Sequence, residues 1–303
     1  MSNYWTDYIY DEFERVVGKD NITDSQADLD AYSFDIWWPP RMYANKGEEP
    51  ISPDCIVFPT TTEEVSEITK LANEYDIPLI PRGGGAGDTG GILPIYGGIV
   101  MDLKKLNSIK NVDEKSQFVT AQTGIWQSDL EEELNRNGYT TNHLPASLYC
   151  STLGGFLSTR GSGVLSSKYG KIENMVMSLE VVLPTGEIIN TPPVPQHSAG
   201  PDMNRFFVGA EGTLGTITEA KLQIDKLPAD RRFRAYLFKD LHQALESGRE
   251  IMTQRLEPCV IRIYDEQDTR IMIRDVLDIE REEVGGYMVM GFDGNYEDGK
   301  SVV

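Results

Sequence analysis

The run Pro81-Arg82-Gly83-Gly84-Gly85-Ala86-Gly87 constrains this chain more than any other segment. It follows directly on the apolar stretch Pro78 to Ile80, which reads as a short strand, so the chain leaves a sheet through a loop with almost no side chains. Successive glycines let neighbouring amides point into one concavity, because no Cβ blocks the approach of a ligand. A diphosphate suits such a nest, and Arg82 offers local positive charge. On this run alone the alternative, a strained turn between two strands, stays open.

Two further small-residue segments point the same way. Gly154 and Gly155 precede Thr159, Arg160, Gly161, Ser162 and Gly163, and a third loop runs Glu211-Gly212-Thr213-Leu214-Gly215. Three amide-rich loops in one domain predict an extended polar ligand threaded through it. The spacing Gly85, Gly87, Gly90, with Asp102 downstream, satisfies the dinucleotide fingerprint formally. That fingerprint needs its third glycine in a helix facing the pyrophosphate. Here Pro94, Gly97 and Gly98 follow and lead to a strand, so the match is accidental. No Gly-Lys-Ser or Gly-Lys-Thr follows either, which excludes an ATPase phosphate loop.

Composition sharpens the problem of holding an anion. The chain has 28 basic and 48 acidic residues, a formal charge of −20, which excludes surfaces that neutralise nucleic acid or lie on anionic lipid. The sign must therefore reverse locally, at the amide nests and beside Arg82 and Arg160. The 303 residues, 40% hydrophobic, suffice for two domains and exclude a disordered chain. Cys55, Cys150 and Cys259 are single and scattered, indicating neither a disulfide framework nor a thiolate zinc site and fitting a reducing cytoplasm. His143, His197 and His242 are far apart without a metal-binding spacing, so no metal is expected. Met1 to Asp11 lacks a signal-peptide pattern, and no run approaches the roughly 18 apolar residues of a membrane span.

Periodicity predicts a first amphipathic helix, Tyr4 to Val17, and an irregular strap from Ser33 to Pro53. Alternation then begins: strand Cys55 to Phe58, helix Thr62 to Tyr75, strands Pro78 to Ile80, Gly98 to Leu103 and Gln117 to Ala121, and an acidic helix Gly124 to Asn137. The acidic run Asp129 to Glu133 reads as a solvated helix face, and Trp126 as a packing residue. Met177 to Leu183 and Glu187 to Ile189 read as a β-hairpin, and Thr216 to Ile224 as a further strand. A boundary falls near Leu227 to Arg232. Beyond it come strand Phe233 to Phe238, helix Leu241 to Arg255, strand Cys259 to Tyr264, helix Glu266 to Leu277 and strand Tyr287 to Gly291. No internal repeat is present.

The segments Pro53 to Thr61, Pro81 to Gly87, Thr152 to Gly155, Val182 to Glu187 and above all Val208-Gly209-Ala210-Glu211-Gly212-Thr213-Leu214-Gly215-Thr216-Ile217-Thr218-Glu219 resemble the FAD-binding domain of the FAD-linked oxidases, the vanillyl-alcohol oxidase superfamily. Glycolate oxidases and D-lactate dehydrogenases share the general pattern. Ser158 to Gly163, Tyr169-Gly170-Lys171-Ile172-Glu173 and Ser198 to Asp202 are instead similar to alkyldihydroxyacetonephosphate synthase.

The resemblance implies an α+β fold with three parts. Residues 1–50 form an N-terminal helix and strap, residues 51–227 a PCMH-type FAD-binding domain of two α/β subdomains, and residues 228–303 a truncated, ferredoxin-like α/β cap. It implies that Pro81, Arg82, Gly83, Gly84, Gly85, Ala86 and Gly87 wrap the FAD pyrophosphate. Pro145, Ala146, Ser147, Cys150, Ser151, Gly154, Ser158, Thr159, Arg160, Gly161 and Ser162 line the cofactor, and Glu211, Gly212, Thr213, Leu214, Gly215 and Ile217 complete its site. Arg262 matches an arginine on the substrate side of the cap; without the resemblance it is an exposed strand residue or the ion-pair partner of Asp265. Ala86 stands where relatives with tethered flavin carry histidine, so FAD is expected to bind without a covalent link, and Cys150 reads as a small buried cysteine. No catalytic acid or base is assigned, because the active-site tyrosine and histidines of the relatives come from later in the cap. Three functions are open: an oxidoreductase acting on a small 2-hydroxy acid, a synthase-like transferase, and a catalytically incomplete FAD-binding module. The partners open to such a chain are a small-molecule substrate, a second polypeptide completing the cap and a second copy in a homodimer, with no nucleic acid.

Overall fold

The computed structural model describes residues 5–195, 197–276 and 285–294. The first predicted helix shows why the local sequence folds as it does. Thr6 caps Asp7–Val17 by accepting the Ile9 amide at 3.3 Å, Gly18 ends it at φ 81°, and Ile9, Phe13 and Val17 fall on one buried face. Tyr4, the predicted start, lies outside the described residues. Thr61 caps Thr62–Glu74 in the same way, and Val65, Ile68 and Ala72 are buried one turn apart.

Both helices cover a four-stranded sheet in the order Ile22–Thr23, Cys55–Val57, Ile99–Asp102, Leu79–Arg82. The last three strands are mutually parallel. Phe13, Ile68, Ile99 and Met101 are fully buried in their shared core, each contributing on the order of 1.5–3 kcal/mol. Leu79–Arg82 is an edge strand and therefore tolerates Pro81. A second, antiparallel sheet runs Ile109–Asp113, Phe118–Gln122, Thr216–Gln223, Val176–Val182, Ile188–Asn190. The predicted hairpin is its Val176–Val182 and Ile188–Asn190 pair. The whole is a mixed α/β fold.

Several expectations are corrected. The strap contains a helix, Trp38–Asn45, opening on Pro39 and Pro40, and a further helix, Gln26–Tyr32, precedes it. Proline fits a first helical turn because those amides have no intrahelical partner. The small-residue stretch contains the helix Leu153–Thr159, capped by Thr152, whose Oγ1 accepts the Gly155 amide at 3.2 Å. In Gln127–Arg136 the acidic run is not wholly solvated, because Glu131 is buried and accepts hydrogen bonds from the Thr141 amide and hydroxyl at 3.1 and 2.7 Å.

Two compact units divide the chain. One takes in the described residues up to Thr141 with Pro145–Gly161 and Ile172–Asp225; the other takes in Asn142–Leu144, Ser162–Lys171 and the described residues from Lys226 on. Both sheets above belong to the first. The second has an antiparallel sheet in the order Asp230–Leu237, Tyr287–Gly294, Val260–Tyr264, with the helices Leu241–Thr253 and Glu266–Ile271. Leu277, the predicted end of the latter helix, lies outside the described residues. In this unit the buried Asp293 carboxylate takes hydrogen bonds from Lys168 at 2.8 Å, Tyr169 at 2.9 Å and Arg231 at 2.9 and 3.0 Å. Among the described residues, no helix is long and apolar enough to cross a membrane, and no group of His, Cys, Asp and Glu could hold a metal ion.

Candidate functional site

The strand Leu79–Arg82 delivers the glycine run to the carboxyl end of the parallel strands, where open α/β sheets bind ligands. There the run forms one wall of a cleft of about 390 Å³. The other walls are Thr123, Ser147, the segment from Ser151 through Thr159, and the loop of Glu211, Gly212 and Gly215 with Thr216 and Ile217. Asp35 joins the lining from the N-terminal segment. All these residues belong to the first unit.

The glycine run packs closely against the facing residues. A Cβ on Gly83 would stand 2.2 Å from Thr152 Oγ1, and one on Gly84 would stand 2.1 Å from the Cys150 carbonyl oxygen and 2.9 Å from Trp126 Cζ3. Gly85 has φ +70°, a left-handed conformation costly for other residues. Among the described residues, none accepts a backbone hydrogen bond from Gly83, Gly84, Gly85, Ala86 or Gly87. Donors held in a concavity without acceptors call for an anionic partner, and each amide bond to a charged oxygen contributes about 1.5–3 kcal/mol.

The charges are disposed differently from the sequence expectation. Arg82 is buried, and its guanidinium donates from Nη1 to the Tyr32 carbonyl at 3.1 Å and from Nη2 to the Phe34 carbonyl at 2.8 Å. It lies over the Tyr32 ring, 4.8 Å from the centroid. Burial pulls its pKa down from the ordinary arginine value, against the opposing pull of Tyr32 and Asp102. Arg160, at φ 53°, donates to the carbonyls of Val208 at 3.0 Å and Arg205 at 3.2 Å. Asp102, the acid of the accidental fingerprint, is fully buried, bonded to the Tyr32 hydroxyl at 2.5 Å and paired with Lys104 at 3.0 Å. Burial first, and that hydrogen bond second, push the Tyr32 phenol well up. Asp35, Asp88 and Glu211 are acidic members of the lining. The donor power of the cleft therefore rests on amides and hydroxyls.

Of the residues singled out from sequence, Pro81 to Gly87, Ser147, Ser151, Gly154, Ser158, Thr159, Glu211, Gly212, Gly215 and Ile217 line the cleft. Pro145, Ala146, Cys150, Arg160, Gly161, Thr213 and Leu214 lie in the same unit without lining it. Ser162 and Arg262 belong to the second unit, where Arg262 is exposed with its guanidinium 5.5 Å from the Tyr264 ring centroid. Asp265 caps the following helix by accepting the Asp268 amide at 2.9 Å. Cys150 is exposed, not buried, and it is its carbonyl that abuts Gly84. Sequence reasoning missed Asp35, Thr123 and Thr152. Asp35 accepts the amide of Trp37, two residues on, at 2.9 Å, a local turn that the Asp-x-Trp order can suggest.

Residues 53–192 match the family model described as FAD binding domain. An alkyldihydroxyacetonephosphate synthase of Trypanosoma brucei brucei is 33% identical over 276 residues, 86% of this chain and 43% of the synthase. The glycolate oxidase subunit GlcD of Bacillus subtilis (strain 168) is 31% identical over 268 residues, 88% of this chain and 55% of that protein. A solved structure of alkyldihydroxyacetonephosphate synthase aligns with a TM-score of 0.88 at 28% identity, covering 98% of this chain and 57% of that one. The chain spans about half the length of the curated relatives it matches. The unpartnered amides and the close-walled cleft fit a cofactor that carries a diphosphate. Residues 53–192 are an FAD binding domain, and the chain is homologous to alkyldihydroxyacetonephosphate synthase and to the glycolate oxidase subunit GlcD.

Proposed function

We propose that this chain is an FAD-dependent oxidoreductase that oxidises the CH–OH group of a small 2-hydroxy acid. The observation that carries the FAD part is the row of unpartnered amides from Gly83 to Gly87 facing a cleft of matching chemistry. Those amides hold the diphosphate, while Ser147, Ser151, Ser158 and Thr159 offer hydroxyls along the rest of the cleft. Glu211, Gly212, Gly215 and Ile217 form the opposite wall. Bound FAD supplies the electron-pair acceptor that turns a carbinol into a carbonyl. Binding is non-covalent, since Ala86 has no nucleophile and Cys150 does not line the cleft. Arg262 is our proposal for the cation that meets the substrate's anionic group, and the free cysteines fit a cytoplasmic location.

A second reading, an FAD-dependent transferase acting on a ketone phosphate, is favoured by the 0.88 TM-score against the synthase structure. The two separate in one experiment. The purified chain is loaded with FAD and mixed anaerobically with glycolate or D-lactate, and the flavin absorbance is followed. Bleaching without another acceptor supports the oxidoreductase. Unchanged absorbance, together with exchange of an acyl for an alkyl group on an acylated ketone phosphate, defeats it.

A further inference from the structure

The N-terminal segment 32–37 lies outside the residues that match the FAD binding domain, 53–192, yet it is fastened to the glycine loop from both sides. Arg82 reaches out of the loop and binds the Tyr32 and Phe34 carbonyls. Ile36 donates its amide to the Gly87 carbonyl at 3.0 Å. Asp35 is 2% exposed, and its Oδ2 accepts the Gly90 amide at 3.1 Å while Oδ1 accepts that of Trp37. Arg41 secures the same segment by donating from Nε and Nη2 to the Asp35 carbonyl at 3.3 and 3.2 Å. Gly85 completes the fit, because a Cβ there would stand 2.6 Å from Arg82 Nη2.

Every bond of this set leaves the amides of Gly83 to Gly87 unused. The carbonyl of Gly87 and the amide of Gly90 are engaged at the far end of the loop, and the Arg82 fork is engaged at its start. We propose that residues 32–37 are a clamp that presets the glycine loop for a diphosphate, with Arg82 and Asp35 as its positioning residues, and that Arg82 does not serve as the cation for the diphosphate. A preset loop binds more tightly because the ligand does not spend its interaction free energy on ordering it.

Charge and clamp predict opposite outcomes. If Arg82 acts by charge, Arg82→Lys keeps FAD binding and Arg82→Met loses it. If Arg82 acts as a fork across two carbonyls, lysine cannot replace it, and both variants weaken FAD binding alike. Asp35 separates the ideas more sharply. Removing a carboxylate from a cleft that holds an anion strengthens binding on electrostatic grounds, whereas removing the clamp weakens it.

The test is fluorescence-quenching titration of the FAD-free chain with FAD, for wild type, Arg82→Lys, Arg82→Met and Asp35→Asn, alongside the melting temperature of each FAD-free protein. We expect Arg82→Lys and Arg82→Met to lose affinity equally, and Asp35→Asn to lose about tenfold or more when titrated well below the melting temperature of the FAD-free variant. Wild-type affinity in Arg82→Lys, or unchanged or tighter binding in Asp35→Asn, overturns the clamp. If the buried arginine variants fail to fold, the sign of the Asp35→Asn effect decides alone. The proposal rests on the FAD reading of the cleft; a wild-type chain that takes up no FAD defeats that reading itself, an outcome distinct from any variant result.

Discussion

The contact between Gly84 and the Cys150 carbonyl makes Gly84→Ala the most informative single substitution. The added Cβ would sit 2.1 Å from that oxygen and 2.9 Å from Trp126 Cζ3. Neither a backbone carbonyl nor the edge of an indole at the start of the helix Gln127–Arg136 gives way like the end of a flexible side chain. Relief to an ordinary carbon–oxygen contact of about 3.3 Å requires the two walls to part by about 1.2 Å. Overpacking of this kind costs about 1–3 kcal/mol, and a unit of this size loses about 2–4 °C of melting temperature per kcal/mol. The same movement carries the Gly83–Gly87 amides away from Ser147 and Ser151 across the cleft, so a ligand spanning both walls loses at least one charged hydrogen bond. That loss amounts to about ten- to a hundredfold in FAD affinity. The assays are thermal unfolding of the FAD-free protein and fluorescence titration with FAD. Gly155→Ala is the control: its Cβ would meet Thr152 Oγ1 at 3.4 Å, an ordinary contact, inside a helix where alanine replaces glycine favourably. It should melt at or above wild type. A Gly84→Ala protein that melts with wild type and binds FAD with wild-type affinity refutes the close contact of the two walls.

Three further outcomes follow from the electrostatics. Burial, and then repulsion from Glu180 directly across the strands, raise the Glu219 pKa above its ordinary value. An acid with a raised folded pKa favours the fold below its unfolded pKa and loses that contribution as pH rises through the folded one. Glu219→Gln should therefore raise the melting temperature at pH 7, with a difference from wild type that shrinks toward pH 4; a constant difference counts against the assignment. Cys150 is exposed while Cys55 and Cys259 are buried, and burial pushes Cys55 well up and Cys259 up to about 11. A thiol-specific reagent should label one cysteine quickly in the native protein, and peptide mapping that finds Cys55 or Cys259 first contradicts the structure. At Asp293, burial pushes the carboxyl pKa up, but the hydrogen bonds from Lys168, Arg231 and Tyr169 outweigh it and hold the group below the usual range. Asp293→Asn leaves two partly buried cations without their anion and should cost about 3 kcal/mol in denaturant unfolding at pH 7. The penalty should diminish as pH falls and the wild-type carboxyl itself becomes protonated.

Much of the first unit was legible in the sequence because its signals are local. Thr62 with Glu63 and Glu64 after it, the helical recurrence of Val65, Ile68 and Leu71, and the apolar run from Cys55 each name their own element. The glycine run likewise announced an amide nest. What stayed hidden depends on partners distant in the chain. Gly154 and Gly155 lower the helical propensity of Leu153–Thr159, yet Gly154 suits its place because a Cβ would crowd Thr123 at 3.0 Å. Glu131 looks like any acid on a solvated face until Thr140 and Thr141 supply its donors. The positive charge of Arg82 and Arg160 could be read from sequence, but the direction of each guanidinium could not, since carbonyls of Tyr32, Phe34, Arg205 and Val208 decide it. Asp35 escaped notice for the same reason, because its partner Gly90 lies more than fifty residues away.

Pro81 has one more consequence. The edge strand Leu79–Arg82 ends in the glycine run, and a strand edge beside unpartnered amides is a template on which a foreign strand can grow. Proline removes the donor at the last outward position before that run, so an incoming strand finds its ladder broken just where it would reach the loop. The residue that looks like a flaw in a strand thus acts as a guard against aggregation: it keeps the amides of the glycine run available to a small ligand and closed to another chain.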